Sequence, residues 1–388
     1  MGAKPASAKL GIALLILAIG AAGLIIRARH AAEDSDDNEF AWIPKQIRQP
    51  GVIRGAGVLS ESLFLLDLRV GDVRDIRAGT FDRSRGPEIG IVGTRGAAFV
   101  DGGGTVIALT KFEPTRSDPR IIDVQNDGDC EFLERGDYAS PAILLDHNGK
   151  KIWQFGSHAC ADAAPGDING DGKLEFVIVG FQGSDDDISL LGAIGKESWR
   201  VPESGVSFVE MIDTNGDGRL EIVHSNAGAQ IVVRNERGGV LWESKSGDLY
   251  TEFSVCHYPS STSRAYCLHA GDGSVSVIGY SGRTVARFAA PNACAQAEVY
   301  GTPVKLQEGK PDYLAIIITY RSEDVSVLYV FDSGKKAIYE ESLPDAYRAI
   351  APATLGKGRT ESLLIGTEHG RVLRYDFVEK DQRHKRSS

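Results

Sequence analysis

Apolar and polar positions alternate over short stretches along most of this chain. Ser274–Tyr280 (SVSVIGY) and Arg371–Phe377 (RVLRYDF) show the two-residue period of half-buried strands, and Ala315–Tyr320 (AIIITY) is a short β-branched run. Past residue 26 no segment carries the i, i+3, i+4 apolar stripe of a sustained helix. The N-terminus differs. Leu10–Ile26 is a 17-residue uncharged apolar run, preceded by Lys4 and Lys9 and followed by Arg27 and Arg29. At about 1.5 Å of rise per residue it is just long enough to cross a bilayer. Its length and the immediate Arg27 predict a retained signal-anchor. A cleaved signal peptide, whose apolar region runs about 7–15 residues, would instead leave a secreted body. The expected organisation is a short tail at 1–9, a transmembrane helix at 10–26, an acidic polar linker at 27–45, an all-β body at 46–378 and a disordered tail at 379–388.

Internal repetition sets the expected architecture. Asp123–Glu131 (DVQNDGDCE), Asp167–Glu175 (DINGDGKLE) and Asp213–Glu221 (DTNGDGRLE) align without gaps, and their starts lie 44 and 46 residues apart. The last two lead into the apolar runs FVIVG and IVHSN. A glycine-to-tryptophan element recurs as well, at Gly149–Trp153, Gly195–Trp199 and Gly238–Trp242. Weaker copies lie at Gly79–Gly93, around Val255–Leu268, from Val304 and from Ala353, which makes seven units about 40–50 residues apart. That spacing holds four short strands with their turns, the size of one β-propeller blade. The predicted body is therefore a seven-bladed β-propeller of four-stranded antiparallel blades. The last unit supplies only three strands, so Ser62–Leu68 (SLFLLDL) is expected to complete it and close the ring.

The three aligned segments read D-x-[N/Q]-x-D-G-x-x-E, with oxygen donors where a hard cation needs them. The candidate ligands are Asp123, Gln125, Asp127, the Asp129 carbonyl and Glu131 in the first loop. They are Asp167, Asn169, Asp171, the Lys173 carbonyl and Glu175 in the second, and Asp213, Asn215, Asp217, the Arg219 carbonyl and Glu221 in the third. An EF-hand requires a bidentate Glu at position 12 and flanking helices. Position 12 is Glu134, Ile178 and His224, and the flanks read as strands. Two or three structural Ca2+ ions are the expected cofactor. An upstream copy with Asp82, Ser84 and Glu88 is shortened, and the later units have lost their carboxylates.

On these motifs the chain resembles the FG-GAP/VCBS repeat family, which includes integrin α-subunit heads and bacterial surface proteins. The resemblance spans roughly residues 70–378 and is strong across 120–245. It implies calcium within blade loops and an adhesion, protein- or carbohydrate-binding or scaffolding role. The Trp endings are similar, more weakly, to those of quinoprotein-like propellers, and the three Trp are expected to pack between blades.

Composition narrows the function classes. With 43 basic and 53 acidic residues the net charge is −10, which repels phosphate backbones and argues against nucleic acid as a partner. Forty-five glycines without collagen periodicity imply many tight turns. Cys256 with Cys267, and Cys130 with Cys160, are candidate disulfides; the alternative is five buried thiols, counting Cys294. No G-x-S-x-G elbow, P-loop or His-Glu-x-x-His appears, so the expected protein is a single-pass, extracytoplasmic binding module and not an enzyme. The alternatives are a propeller-type polysaccharide lyase or an envelope assembly factor. His147, His158, His224, His257, His269 and His369 read as turn or surface residues, and Asp185–Asp187 as a solvated turn.

Overall fold

The computed structural model describes residues 57–65, 69–79, 81, 88–112, 119–136, 140–155, 160–182, 185–206, 208–226, 230–245, 255–257, 265–270, 274–278, 283–290, 297–310, 312–320, 324–343, 345–355 and 360–379. The expected tail, membrane helix and linker at 1–45, together with Asp82, Ser84, His158 and Cys294, lie outside the described residues. Among the described residues there is no helix, hence none long and apolar enough to cross a membrane.

Twenty-eight described strands form seven four-stranded antiparallel sheets. Six are built from consecutive strands, each pairing with the next. They are β2 Val73–Gly79, β3 Glu88–Gly93, β4 Gly96–Val100 and β5 Val106–Lys111; then β6 Arg120–Ile122, β7 Glu131–Glu134, β8 Ile143–Leu145 and β9 Lys151–Gln154; then β10 Cys160–Gly166, β11 Glu175–Gln182, β12 Asp185–Leu191 and β13 Glu197–Pro202. There follow β14 Val209–Ile212, β15 Glu221–Ser225, β16 Gln230–Arg234 and β17 Val240–Lys245; β18 Val255–His257, β19 Ala265–Ala270, β20 Ser274–Ile278 and β21 Thr284–Ala289; and β22 Glu298–Val304, β23 Tyr313–Tyr320, β24 Val325–Phe331 and β25 Ala337–Leu343. The remaining sheet joins the first described strand to the last three. Its order is β1 Gly57–Leu65, β28 Val372–Glu379, β27 Ser362–Thr367 and β26 Tyr347–Ala353. The segment Ser62–Leu68 overlaps β1, whose register with β28 starts at Gly57 and Glu379.

The repeat is visible in backbone detail. The third and fourth strands of six sheets slip register at one equivalent place, at Val100, Leu145, Leu191, Arg234, Ile278 and Phe331. A bulge there increases local twist, so each outer strand turns away from its sheet in the same manner.

Sheets pack face to face through aliphatic and aromatic side chains. Val92 and Phe99 meet Ile121 and Phe132; Leu133 and Leu144 meet Phe176 and Ile178; Val177 and Ile188 meet Val209 and Ile222. Phe288 lies 4.8 Å from Phe331, ring to ring. The sheet holding β1 packs on both sides: Leu363, Ile365 and Tyr375 meet Ile317 and Leu328, and Leu364 and Ala349 meet Val73 and Ile91. The last junction is tight at Gly366, where an added Cβ would sit 2.3 Å from Val73 Cγ1. Charges on and beside the first two strands of a sheet pair across sheets. Arg120 of β6 grips both oxygens of Glu210 of β14 (Nη1–Oε2 2.8 Å), and Arg135 meets Asp162 of β10 at 2.6 Å. Burial alone would raise Glu210, but Arg120 beside it holds the carboxyl below its usual range.

The glycine-to-tryptophan elements act between sheets. Trp153 lies in β9, and its Nε1–H donates to the Ala193 carbonyl in the β12–β13 turn of the next sheet at 3.2 Å. The Gly195 of that turn stands over the indole, with an added Cβ only 3.0 Å from Cγ. Trp199 repeats the arrangement one sheet on, donating to the Glu236 carbonyl at 2.9 Å. Trp153 also makes an edge contact with Phe176 at 4.9 Å. Trp153→Ala is expected to cost about 2 kcal/mol, less than for a fully buried Trp because the ring is half-exposed. Trp153→Phe should cost about 1 kcal/mol for the lost hydrogen bond. Urea denaturation of both variants checks this; a Trp153→Phe variant as stable as the wild type would refute the hydrogen-bond contribution.

Several sequence expectations are corrected. Cys130 and Cys160 are free, buried thiols in different apolar clusters, and burial pushes Cys130 up to about 12. Register pairs Cys256 with Tyr266 and Cys267 with Val255, so the two cysteines are not opposite each other. Asp185–Asp187 opens β12 and is not a turn; Asp187 is buried and meets Arg200 at 3.2 Å. His224 is fully buried in β15, and His257 and His269 lie in strands β18 and β19. A single polar residue in an apolar run, such as His224, gives no sign in sequence of a buried partner.

Candidate metal centre

The three acidic segments occupy one structural position. Each connects the first and second strands of a sheet: β6 to β7, β10 to β11 and β14 to β15. The closing acids Glu131, Glu175 and Glu221 are the first residues of the second strands. Two left-handed residues bend each loop, at positions 4 and 6: Asn126 (φ 53°) and Gly128, Gly170 and Gly172, Gly216 and Gly218. Asn tolerates this region better than other side-chain-bearing residues, so Asn126 serves where the other loops use glycine.

Hydrogen bonds wind each loop around its first aspartate. Asp167 Oδ1 accepts from the Gly170 and Asp171 amides at 2.7 and 3.0 Å, and Oδ2 from Gly172 at 2.8 Å. Asp213 repeats these bonds from Gly216, Asp217 and Gly218 at 2.6, 3.2 and 2.8 Å. Asp123 takes the amides of Asp127 and Gly128 at 3.1 and 2.8 Å. The closing Glu reaches back. Glu131 accepts from Val124 N at 2.9 Å, Glu175 from Ile168 N at 3.2 Å, and Glu221 from Thr214 N and Oγ1 at 2.8 and 2.7 Å. Asn169 and Asn215 amides also donate to Glu175 and Glu221, at 2.8 and 3.1 Å.

This geometry holds several oxygen donors on one turn and leaves negative charge unbalanced. Burial, then the neighbouring aspartates, outweigh the amide bonds and raise Glu131 to about 7; Glu175 and Glu221 are raised for the same reasons. Asp123, Asp127 and Glu131, and their equivalents, with an amide oxygen and a position-7 carbonyl, are the hard, oxygen-only set that suits Ca2+. Each carboxylate oxygen has two lone pairs, so an amide bond does not exhaust it. No three carboxylates of one loop lie within 4.8 Å of one another among the described residues, so the acids are spread around the turn and not gathered at a point. The loops are linked in series: Leu174 N donates to Val124 O at 3.0 Å, and Leu220 lies against Gly166. Glu88 of the shortened upstream copy is buried in β3.

Similar solved structures decide the fold. The chain is similar to BBS1N in a crystal structure of its complex with ARL6DN, soaked with lead, at 10% identity and TM-score 0.57, covering 84% of this chain and 99% of that one. It is also similar to the Neurospora crassa Pan2 WD40 domain, at 9% identity and TM-score 0.51, covering 85% and 96%. The fold is a β-propeller. No family model and no curated protein matches the sequence.

Within the propeller each sheet is a blade, and antiparallel pairing assigns the loops to ends. First-to-second and third-to-fourth strand turns leave one end of each blade; second-to-third turns and blade-to-blade links leave the other. The three acidic loops thus share an end with the Trp-docking turns. Sequence reasoning missed a different constellation. Asp324, Asp345 and His369 bring three potential ligand atoms within 4.8 Å of one another. They come from three separate turns with no shared spacing, so no linear motif points to them.

Proposed function

We propose that this chain is a membrane-anchored, extracytoplasmic seven-bladed propeller that serves as a non-enzymatic protein-binding scaffold, with structural Ca2+ in its three acidic loops. The observation that carries the reading is an arc of exposed aliphatic side chains on successive blades. Leu109 in β5 is 56% exposed, Ile152 in β9 49% and Leu241 in β17 52%, with Val106, Ile107 and Val240 beside them and Ile194 in the intervening turn. Outermost strands with apolar side chains invite a covering partner. Propellers of similar fold support the reading, since BBS1N was crystallised in complex with ARL6DN. Leu10–Ile26 supplies the anchor, and the acidic loops supply stiffness to the three blades that bear Ile152, Ile194 and Leu241.

The test uses the full chain in detergent, with Ca2+ or EDTA, cross-linked to its neighbours in native membranes. At a Ca2+ concentration 100 times Kd, one occupied loop adds about 2.7 kcal/mol, which Asp217→Asn should remove. Leu109→Glu with Leu241→Glu should abolish the cross-linked partner and leave melting unchanged. Identical melting in Ca2+ and EDTA would sink the calcium assignment; an undiminished cross-link in the double variant would sink the binding surface.

A further inference from the structure

We propose that Asp324, Asp345 and His369 form a second, chemically different metal site, for a borderline dication of the zinc class, clamping two neighbouring blades at the end opposite the acidic loops. Asp324 lies in the β23–β24 turn, Asp345 in the link from β25 to β26, and His369 in the β27–β28 turn. Two of these are second-to-third strand turns and the third is a blade-to-blade link, so all three emerge at one end of adjacent blades.

The backbone beneath the site is fixed. Ser326 Oγ donates to the Asp345 carbonyl at 3.0 Å and accepts from Tyr347 N at 3.1 Å; Thr319 Oγ1 donates to the Tyr347 carbonyl at 2.7 Å. Glu368 N donates to the Ala346 carbonyl at 3.1 Å, and His369 N to Thr367 Oγ1 at 3.0 Å. The turns that carry the three side chains are therefore tied together before any ion arrives, which lowers the ordering cost of binding.

A second observation points to a ligand. The Asp345 side chain is only 8% exposed. Its Oδ1 accepts from Ala346 N at 2.9 Å. His369 Nε2 stands 3.8 Å from Oδ1, too far for a hydrogen bond. A buried carboxylate costs stability unless a cation balances its charge. Tetrahedral ligands around zinc lie about 3.4 Å apart, so the observed spacing needs only side-chain rotation to close. Two carboxylates neutralise the dication. The imidazole selects zinc, cobalt or nickel over calcium and magnesium, which prefer oxygen alone. Arg371 adds positive charge nearby and tempers the affinity. Three protein ligands leave one position for water or a donor from a bound partner.

Co2+ is the probe, added to the full-length chain in detergent with Ca2+ present. A visible d–d absorption that saturates, is displaced by Zn2+ and persists in excess Ca2+ is expected. His369→Ala and Asp324→Asn, both at exposed positions, should each weaken Co2+ at least tenfold without changing the melting temperature. Asp217→Asn should leave the band intact, so failure of the calcium loops and failure of this site are told apart. No absorption band, or a band of equal affinity in His369→Ala, would overturn the proposal.

Discussion

A chain that begins at Asp72 is expected to melt roughly 10 °C or more below the full body, the largest single loss available in this fold. Without β1 the closing blade has three strands, and β28 becomes an open edge. Eight aligned residue pairs disappear between Gly57–Glu379 and Leu65–Val372. Cross-strand pairs contribute roughly 0.2–1 kcal/mol each, and Leu59, 6% exposed against Leu363 and Tyr375, adds about 2 kcal/mol by its burial. A loss of roughly 5 kcal/mol approaches half of an ordinary domain's stability. The effect should exceed the sum of local contacts, because β1 is what joins the N-terminal end of the chain to its last three strands. A synthetic peptide of residues 57–65 should restore part of the lost stability in trans; Leu59→Ala in the full chain should cost only about 2–3 kcal/mol. Scanning calorimetry of the truncated and intact bodies decides it. Equal melting temperatures would mean that the ring is held shut by the Gly366–Val73 junction alone.

What the sequence makes legible is what repeats. Four strands per unit, the acidic loops and the Trp elements recur at nearly constant spacing, because each blade solves the same packing problem with the same local devices. The bulge near the start of the fourth strand in six sheets has no residue signature of its own, since Val100, Leu145, Leu191, Arg234, Ile278 and Phe331 range from aliphatic to aromatic to charged. It is set by the pairing on both sides and not by a side chain. Within the aligned loops, sequence does not show that Asn126 performs the glycine's task, which its φ of 53° reveals. Constellations that cross blades leave no linear trace. Asp324, Asp345 and His369 meet only because β22 and β23 pack on β26, and Arg120 finds Glu210 two blades away. The Cys256–Cys267 candidate met the same obstacle in reverse: proximity in sequence across a hairpin does not fix register, and one residue of slip separates the two.

Acid should weaken the propeller at His224, and by more than any exposed group would. Its ring is fully buried: Nδ1–H donates to the Ser225 carbonyl at 2.9 Å, and Nε2 accepts from Arg234 Nε at 2.9 Å. Arg234 is committed elsewhere too, to the Gly238 carbonyl at 2.7 Å and to Glu203 of the preceding blade. The imidazole must therefore stay neutral to accept. Burial, with Arg234's charge, outweighs the Ser225 bond and lowers its pKa to about 4 from 6.5. The unfolded chain takes up a proton below about 6.5 while the folded one resists until about 4, so the unfolded state binds more protons throughout that window. Stability contributed by neutral His224 is then complete above pH 6.5 and falls by about 3 kcal/mol as the pH drops to 4. Below 4 the ring protonates, Nε2 loses its role as acceptor, and Arg234 faces a like charge between blades. His224→Gln cannot titrate, and its side-chain oxygen can still accept from Arg234. Denaturant unfolding across pH 7.5 to 4 should show the wild type losing about 3 kcal/mol more than the variant. Parallel pH profiles for the two proteins would show that His224 is not the group that titrates.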